Sequence, residues 1–391
     1  MLSNRISLGL VAFALAASAA ITAYGQDHEL EGAALFEPAD MRPYDNWAQP
    51  RDGMFVTFDG LYWHISMPAK TTVGDPTLTP TVFVGPTLGD AIVEQNSVDT
   101  SGSSVWKWGD RIELGYVDGH YGFMFTSLET QSQTEETSAA NAYVVFNDPA
   151  FGPNGSHYLD TVLQTNAAGT PTVIGETPVN FKTLYVQDKS RVDGVEALFM
   201  YRMDELHLGG QLEFLAGGRY FELKDQFWVD ARGGNLTDSY WNTTTHNEIA
   251  GPEIGARWYQ PFGRFGFSAE SRFTAGVNAQ AIGQEGLLAA GLTSGQNTPP
   301  QPTLMGATSF THSTHYIEFS PIIELRAEAH MQLTNVISVK AGWTGIFVNN
   351  VARAADMIDY TVPTMGITRN LDGNLQNVFI TGLNVSVEIN R

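Results

Sequence analysis

The sequence predicts an all-β fold, an antiparallel up-and-down transmembrane β-barrel of about 12 strands that lies in an outer membrane. Three observations lead to this prediction. The chain begins with an export signal, and many segments of alternating apolar and polar residues follow it. Long polar stretches connect some of these alternating segments, whereas tight turns connect others.

The first 25 residues have the three parts of a secretory signal peptide. Arg5 lies in a short leading region, an Ala-rich apolar stretch runs from Leu8 to Ala20, and small residues precede Gln26. An apolar stretch of this length is short for a membrane span, which disfavours an uncleaved anchor. We therefore expect export and a mature chain that begins near Gln26.

Residues 26–52 contain three prolines and show neither helical nor strand periodicity, which predicts an extended N-terminal arm. From residue 53 to residue 391, aromatic-rich segments alternate with Gly, Asn, Asp, Ser and Pro clusters, which predicts one β-barrel domain. The segments predicted to be strands are 53–66, 106–118, 120–130, 181–188, 192–203, 207–222, 224–232, 238–248, 252–260, 264–276, 315–330, 335–349 and 377–390.

The connections between these segments are of two kinds, which is typical of outer-membrane barrels with long loops at one rim and short turns at the other. The predicted long loops are 67–104, 131–180 and 277–314. The predicted short turns are Asp118-Gly119, the region around Asp204-Glu205, and Pro261-Phe262-Gly263.

Composition excludes several classes of protein. After the signal there is no run of 18 or more apolar residues, so a mature chain that spans a membrane must do so with strands closed into a barrel. Cysteine is absent, which excludes disulfides and thiolate metal sites. The formal net charge of −21 argues against binding to nucleic acid, which requires a basic surface.

Alternation along the strands predicts one apolar face and one polar face, because successive side chains point to opposite sides of a sheet. In the terminal strand Leu383, Val385, Val387 and Ile389 share a face, and the residues between them are polar. The same rule gives the charged residues predicted to face the lumen: Glu213, Arg219, Glu253, Arg257, Glu270, Arg272, Glu324, Arg326, Glu328 and Glu388.

A soluble exported β-sandwich is the alternative fold, because its strands also alternate and its charged face is wet. The export signal, strand lengths of ten or more residues, the aromatic content and the asymmetry of the connections favour the barrel. If the barrel holds, the charged face lines the lumen. In a sandwich the same residues would lie in solvent.

Several motifs resemble the β-barrel porins that planctomycete bacteria encode in families. RVDGVEALFMYR, which begins at Arg191, and the following LEFLAGGRYFEL are similar to a family hairpin, and GPEIGARWY is similar to a hairpin with a charged lumen face. FVTFDGLYWHIS resembles the first strand, and VNNVARAADMIDYTV resembles a segment before the last strand. The resemblance implies a barrel in the outer membrane.

The chain departs from the family pattern at two places. Ala354-Ala355 stands where the late motif has Pro-Gly, which removes the turn chemistry of that pair. Arg391 ends the chain, whereas bacterial outer-membrane strands commonly end in Phe or Trp.

Motifs for hydrolase, metalloprotease and nucleotide chemistry are missing from the sequence, so we expect neither an enzyme nor a cofactor. His312 and His315 are three residues apart, so in a strand their side chains point to opposite faces. We therefore expect no metal. The expected partners are outer-membrane lipid, the barrel assembly machinery and small solutes. We expect porin-like passage of small solutes, with a structural or surface-exposed barrel with a filled lumen as the alternative.

Overall fold

The computed structural model describes residues 52–68, 72–75, 81–83, 91–93, 98, 105–147, 158–165, 171–206, 209–234, 236–291, 306–334, 336–368 and 374–390. The predicted signal peptide and nearly all of the predicted arm lie outside these residues. Among the described residues, no helix is long and apolar enough to cross a membrane.

The described residues form strands and one short 3-10 helix, Ala354–Met357. The strands are β1 Gly53–Ile65, β2 Thr81–Phe83, β3 Ala91–Val93, β4 Lys107–Asp118, β5 Tyr121–Thr130, β6 Gln133–Val144, β7 Tyr158–Thr165, β8 Pro171–Arg202, β9 Gln211–Arg232, β10 Ser239–Phe262, β11 Phe265–Thr274, β12 Val277–Leu288, β13 Thr308–Phe319, β14 Ile322–Gln332, β15 Ile337–Ala352, β16 Ile358–Asp359, β17 Gly366–Ile367 and β18 Leu375–Asn390.

Ten antiparallel strands close a ring in the order β1, β4, β5, β8, β9, β10, β11, β14, β15, β18 and back to β1. The first and last strands of the domain pair from Phe55 with Asn390 to Ile65 with Ile380, which closes the barrel. Pairing of β10 with β11 completes the other side of the ring. The antiparallel barrel is therefore confirmed.

The number of about 12 strands is not confirmed, because six of the predicted segments belong to three long strands. β8, β9 and β10 each join two predicted segments, and their pairing continues through residues that were taken as breaks. In β8, for example, the outward residues Lys189 and Arg191 alternate with buried residues on either side, so the strand continues without a turn between the two predicted segments.

All three predicted loops contain strands beyond the ring, and within 67–104 β2 pairs with β3. Within 131–180, β6 pairs with β8, and within 277–314, β12 pairs with β10 and with β13. The prediction of irregular loops was wrong here because Thr-, Ala- and Asn-rich segments can extend a sheet when neighbouring strands supply the backbone partners. We call this part of the barrel the extended end and the opposite end the short-turn end.

The short-turn end has the predicted tight connections. β4 and β5 are joined at Gly119, whose φ of 57° requires the left-handed region that glycine adopts without strain. β10 and β11 are joined at Gly263, with a φ of 64°. The loop 203–210 joins β8 to β9, and the region of Asp204 therefore connects strands as predicted.

The outward surface of the ring is an apolar band that ends at a row of acidic residues. In β18, Val385 is 65% exposed whereas Asn384 and Ser386 are each 1% exposed, which is the predicted division of faces. Toward the extended end, five adjacent strands carry carboxylates in direct register: Asp110, Glu129, Asp193, Glu222 and Glu248. This acidic row marks the edge of the apolar band, because Val195 and Tyr220 lie on its other side.

Inside the ring, buried side chains form layers, which β9 shows in sequence. From the short-turn end its inward residues are Glu213 with Leu215, Arg219, then Phe221 with Leu223, Asp225, and finally Phe227 with Val229. Apolar clusters at the levels of Leu215, Phe221 and Phe227 alternate with polar layers at the levels of Arg219 and Asp225. The core of this barrel is thus its lumen.

Residues 353–368, which we call the inserted segment, leave the wall after β15 and cross the interior. Arg353 reaches β9 and β8, which lie on the far side of the ring from β15. Ala354, Met357, Tyr360 and Val362 of this segment are buried, and most of them pack with the apolar cluster at the extended end. The segment therefore fills that end of the lumen.

Candidate functional site: the charged interior of the barrel

The ten residues predicted to face the lumen all lie on the inner side of the ring. Eight of them are buried, and the Arg257 and Glu388 side chains retain about a fifth of their exposure. Most of these residues join others in a layer that we call the charged belt: Asp59, Arg111, Glu113, Glu196, Arg219, Glu253, Arg257, Glu270, Arg272, Glu324, Arg326 and Glu328.

Ion pairs of the charged belt cross the lumen between strands that are not neighbours. Arg219 Nη2 of β9 lies 2.8 Å from Glu324 Oε2 of β14. Arg272 of β11 contacts both Glu270 on its own strand and Glu196 of β8. The belt therefore ties opposite walls together at one level.

Adjacent strands add shorter links to the belt. Arg111 of β4 donates from Nε to Asp59 Oδ2 of β1 at 2.5 Å, in the register that pairs these two residues. Arg111 also lies 3.7 Å from Glu324, between Nη1 and Oε1. Buried charges of this kind are stable only when partners compensate their lost hydration, and the belt supplies such partners to most of its members.

Glu253 is the exception among the described residues of the belt. Neither of its carboxylate oxygens has a hydrogen-bond partner, and the nearest guanidinium nitrogens of Arg219 and Arg272 lie 4.0 Å from Oε1. Its buried charge is therefore held by longer-range attraction alone.

Two predicted residues lie apart from the centre of the belt. Glu388 pairs with Lys340 of β15 near the short-turn end and accepts a 3.3 Å hydrogen bond from Thr57 Oγ1. Glu213 pairs with Arg202 at 2.9 Å, and Arg257 lies 3.5 Å away between Nη1 and Oε2. These pairs lie toward the mouth at the short-turn end.

Sequence reasoning missed Asp59, Arg111, Glu113 and Glu196, which are central to the belt. Arg111 and Glu113 alternate with Ile112 in β4, so the pattern that identified the other residues also marks these. Glu196 follows the same rule in β8, between Val195 and Ala197. The signal was therefore present in the strand periodicity.

A second polar layer lies at the extended end, around Arg353 of the inserted segment. Arg353 is fully buried, contacts Asp225 through Nε, and donates to Ser66 O at 2.9 Å and to Ser190 Oγ at 3.2 Å. Asp188 of β8 lies in the same layer, 4% exposed, and neither of its oxygens has a hydrogen-bond partner among the described residues.

Asp188 and Asp225 of this second layer lie beyond the acidic row of β8 and β9 and hence outside the membrane-spanning part of these two strands. Burial, together with the charge of Asp225, raises the pKa of Asp188 to about 7 although Arg353 acts against the shift. Burial also raises the pKa of Asp225 and raises the pKa of Asp356 to about 6. The layer holds several carboxylates near a single cation, so part of it is protonated near neutral pH.

The two histidines considered as metal ligands are placed as the strand spacing predicts, on opposite sides of β13. His312 donates from Nε2 to the carbonyl oxygen of Thr364 in the inserted segment at 3.0 Å, whereas His315 is exposed. Across the described residues, no cluster of three or more His, Cys, Asp or Glu side chains is arranged to hold a metal ion.

A family model described as "Putative beta barrel porin-7 (BBP7)" matches residues 93–390. The chain belongs to this family. The match includes the central motifs and the late motif that carries Arg353, and it begins after β1. The resemblance to a family of β-barrel porins is thereby confirmed, and membership of BBP7 implies an outer-membrane location.

Comparison with solved structures gives matches of low identity. The outer membrane protease OmpT from Escherichia coli is 8% identical, with 89% of this BBP7 chain and 100% of that chain covered and a TM-score of 0.39. The CymD monoaromatic hydrocarbon channel is 9% identical, with coverage of 87% and 89% and a TM-score of 0.30. A Pseudomonas aeruginosa FadL homologue is 8% identical, with coverage of 86% and 90% and a TM-score of 0.22. No curated protein matches the chain.

Proposed function

We propose that this BBP7 protein is a gated outer-membrane channel for small solutes and that the described conformation is its closed state. Membership of a β-barrel porin family supports passage, and the inserted segment supports gating. In this account a cleaved signal peptide exports the chain, the barrel assembly machinery inserts it, and lipid surrounds the apolar band. We assign the protein no catalytic role and no cofactor.

The observation that carries gating is that the inserted segment is not part of the ring, so its displacement would leave the ring closed. Residues 353–368 supply no strand to the closed ring, since their own short hairpin pairs β16 with β17. Displacement of the segment would clear the apolar layer at the extended end. The charged belt lies deeper, and its long Arg and Glu side chains would have to hydrate and separate for a solute to pass.

The geometry also favours a second candidate, a structural barrel whose lumen stays filled. Small barrels are packed inside, and wide aqueous pores require about 16 strands. The belt and the apolar cluster that contains Trp63, Phe221 and Ile346 come from strands on all sides of the ring. This candidate predicts no solute passage in any state.

Planar bilayer recordings test the proposal with two proteins, the wild type and a variant in which a short Gly-Ser linker replaces residues 353–368. We expect small, discrete conductance steps for the wild type and larger, more frequent steps for the variant. The acidic excess predicts weak cation preference. If the variant folds and neither protein conducts, the filled-lumen candidate replaces the channel.

A further inference from the structure

The layer around Arg353 joins the inserted segment to the barrel wall through one cation. Arg353 is the first residue of the segment, and its guanidinium contacts Asp225 of β9, Ser190 of β8 and the carbonyl oxygen of Ser66 beyond β1. A single fully buried side chain thus links the segment to three parts of the wall.

The carboxylates of this layer come from both the barrel wall and the inserted segment. Asp188 belongs to β8, Asp225 to β9 and Glu135 to β6, while Asp356 belongs to the inserted segment itself. All three wall carboxylates are buried. With all four ionised, the layer would hold an excess of negative charge beside one guanidinium, in a region that the protein buries.

We propose that this layer is a pH-operated latch, which holds the inserted segment in the lumen at acidic pH and releases it as the pH rises. The consequence for solute passage rests on the proposed channel function. Release of the segment itself does not depend on that function.

The direction of the response follows from where the protons are bound. The inserted segment excludes water from Asp188, whose pKa is about 7 in this state against an ordinary value near 4 when water reaches it. Asp356, with a pKa of about 6, responds in the same sense. The inserted state binds the extra protons, so its advantage is complete below about pH 4 and is lost as the pH rises toward 7.

The segment also makes contacts that involve no group titrating near neutral pH, and these contacts favour the inserted state independently of the latch. The Val362 amide donates to Asn147 O at 2.8 Å, and the Asn147 amide donates to Tyr360 O at 2.9 Å. Tyr360 packs against Trp241 and Phe146 with ring centroids 6.1 Å apart. These contacts favour insertion at every pH, so the carboxylates shift an equilibrium and do not create it.

Hydrogen exchange of the amides of Val362 and Asn147 reports release, because each amide donates to a backbone oxygen across the contact between the segment and residue 147. Protection factors corrected for the intrinsic exchange rate would be measured between pH 5 and pH 8 on the full protein in lipid nanodiscs. We expect protection in the wild type to fall by up to about tenfold for each pH unit and each responding carboxyl, with both carboxyls contributing below about pH 6 and Asp188 alone up to about pH 7, and then to level off. Amides of β1 and β18 should keep constant protection.

Asp188→Asn tests the assignment, and Asp230→Asn is its control. Asn at 188 cannot ionise, so this variant should lose the fall in protection between about pH 6 and pH 7 and keep only the slope below about pH 6 that Asp356 contributes. Asp230 is a carboxylate on the outward side of β9 that pairs with the exposed Arg232, and its variant should keep the wild-type slope. Arg353→Met provides a second variant, in which loss of the Arg353 guanidinium should move release to lower pH.

Wild-type protection that does not change with pH, or equal slopes in Asp188→Asn and Asp230→Asn, would overturn the latch. A pH-dependent release without any conductance would leave the latch standing and remove the proposed channel. Conductance together with segment protection that does not change with pH would support the channel and remove the latch.

Discussion

Arg326 of β14 donates a hydrogen bond across the lumen to Glu113 of β4, from Nη1 to Oε1 over 2.7 Å. Three strands of the ring separate β14 from β4 on that side. The contact therefore depends on barrel closure and not on the pairing of neighbouring strands. Because both side chains are buried, it also makes the charged belt sensitive to the loss of a single partner.

Glu324→Gln and Glu253→Gln form a matched pair of belt substitutions with opposite expectations. Glu324 forms ion pairs with Arg219 (Oε2 to Nη2, 2.8 Å) and with Arg326 (Oε1 to Nη2, 3.2 Å). Its neutralisation should therefore destabilise the barrel by about 3–5 kcal/mol. Glu253 has no hydrogen-bond partner among the described residues, and Glu253→Gln should cost under about 1 kcal/mol. Urea unfolding in lipid vesicles measures both, and equal losses would contradict the assigned pairing.

Ile254→Arg and Thr244→Arg compare two depths on the outward face of β10. Ile254 is exposed within the apolar band, where an arginine near the bilayer centre costs roughly 2–4 kcal/mol. Thr244 lies beyond the acidic row, where we expect a change near zero. Membrane insertion would be followed by the folded fraction on unheated gels. Equal assembly of the two variants would place the apolar band elsewhere on the strand.

The sequence pattern predicted the faces of the strands better than their number. Alternation is a local property, so the outward position of Val385 and the inward position of Arg272 could be inferred from a few neighbouring residues. Strand ends depend on whether a neighbouring strand continues to pair. Residues 249–251 therefore looked like a break although β10 runs through them.

The inserted segment could not be predicted from local patterns. Its fixing contacts join residues far apart in the chain, such as Arg353 with Asp225 and Val362 with Asn147. The motif around Arg353 indicated family membership, but no periodicity indicates that a chain will leave the wall and cross the lumen. Only the closed ring brings these residues together.

Gly217→Ala and Gly60→Ala test the close approach of neighbouring strands. A Cβ atom at Gly217 would lie 2.0 Å from Ala197 O of the paired strand β8, whereas at Gly60 the nearest atom, Val385 O, would be 3.7 Å away. Gly217→Ala should therefore cost about 1–3 kcal/mol through backbone displacement, and Gly60→Ala should be tolerated. Unfolding midpoints measure both. A Gly217→Ala variant as stable as the wild type would show that β8 and β9 are farther apart.

The predicted export signal can be checked on the mature protein. Intact-mass measurement of protein purified from membranes should give a chain that begins near Gln26, and Arg5→Glu should slow export because the leading region loses its positive charge. A conservative Arg5→Lys variant should be exported like the wild type. A mature protein that retains residues 1–25 would contradict cleavage.

Fractionation of cells with gel analysis tests the central claim, a closed β-barrel in the outer membrane, most directly. The account predicts that the protein stays with outer membranes after carbonate extraction and that its mobility on gels changes when the sample is heated, because a closed barrel resists detergent until it is boiled. Recovery in the soluble periplasmic fraction, with the same mobility before and after heating, would contradict it.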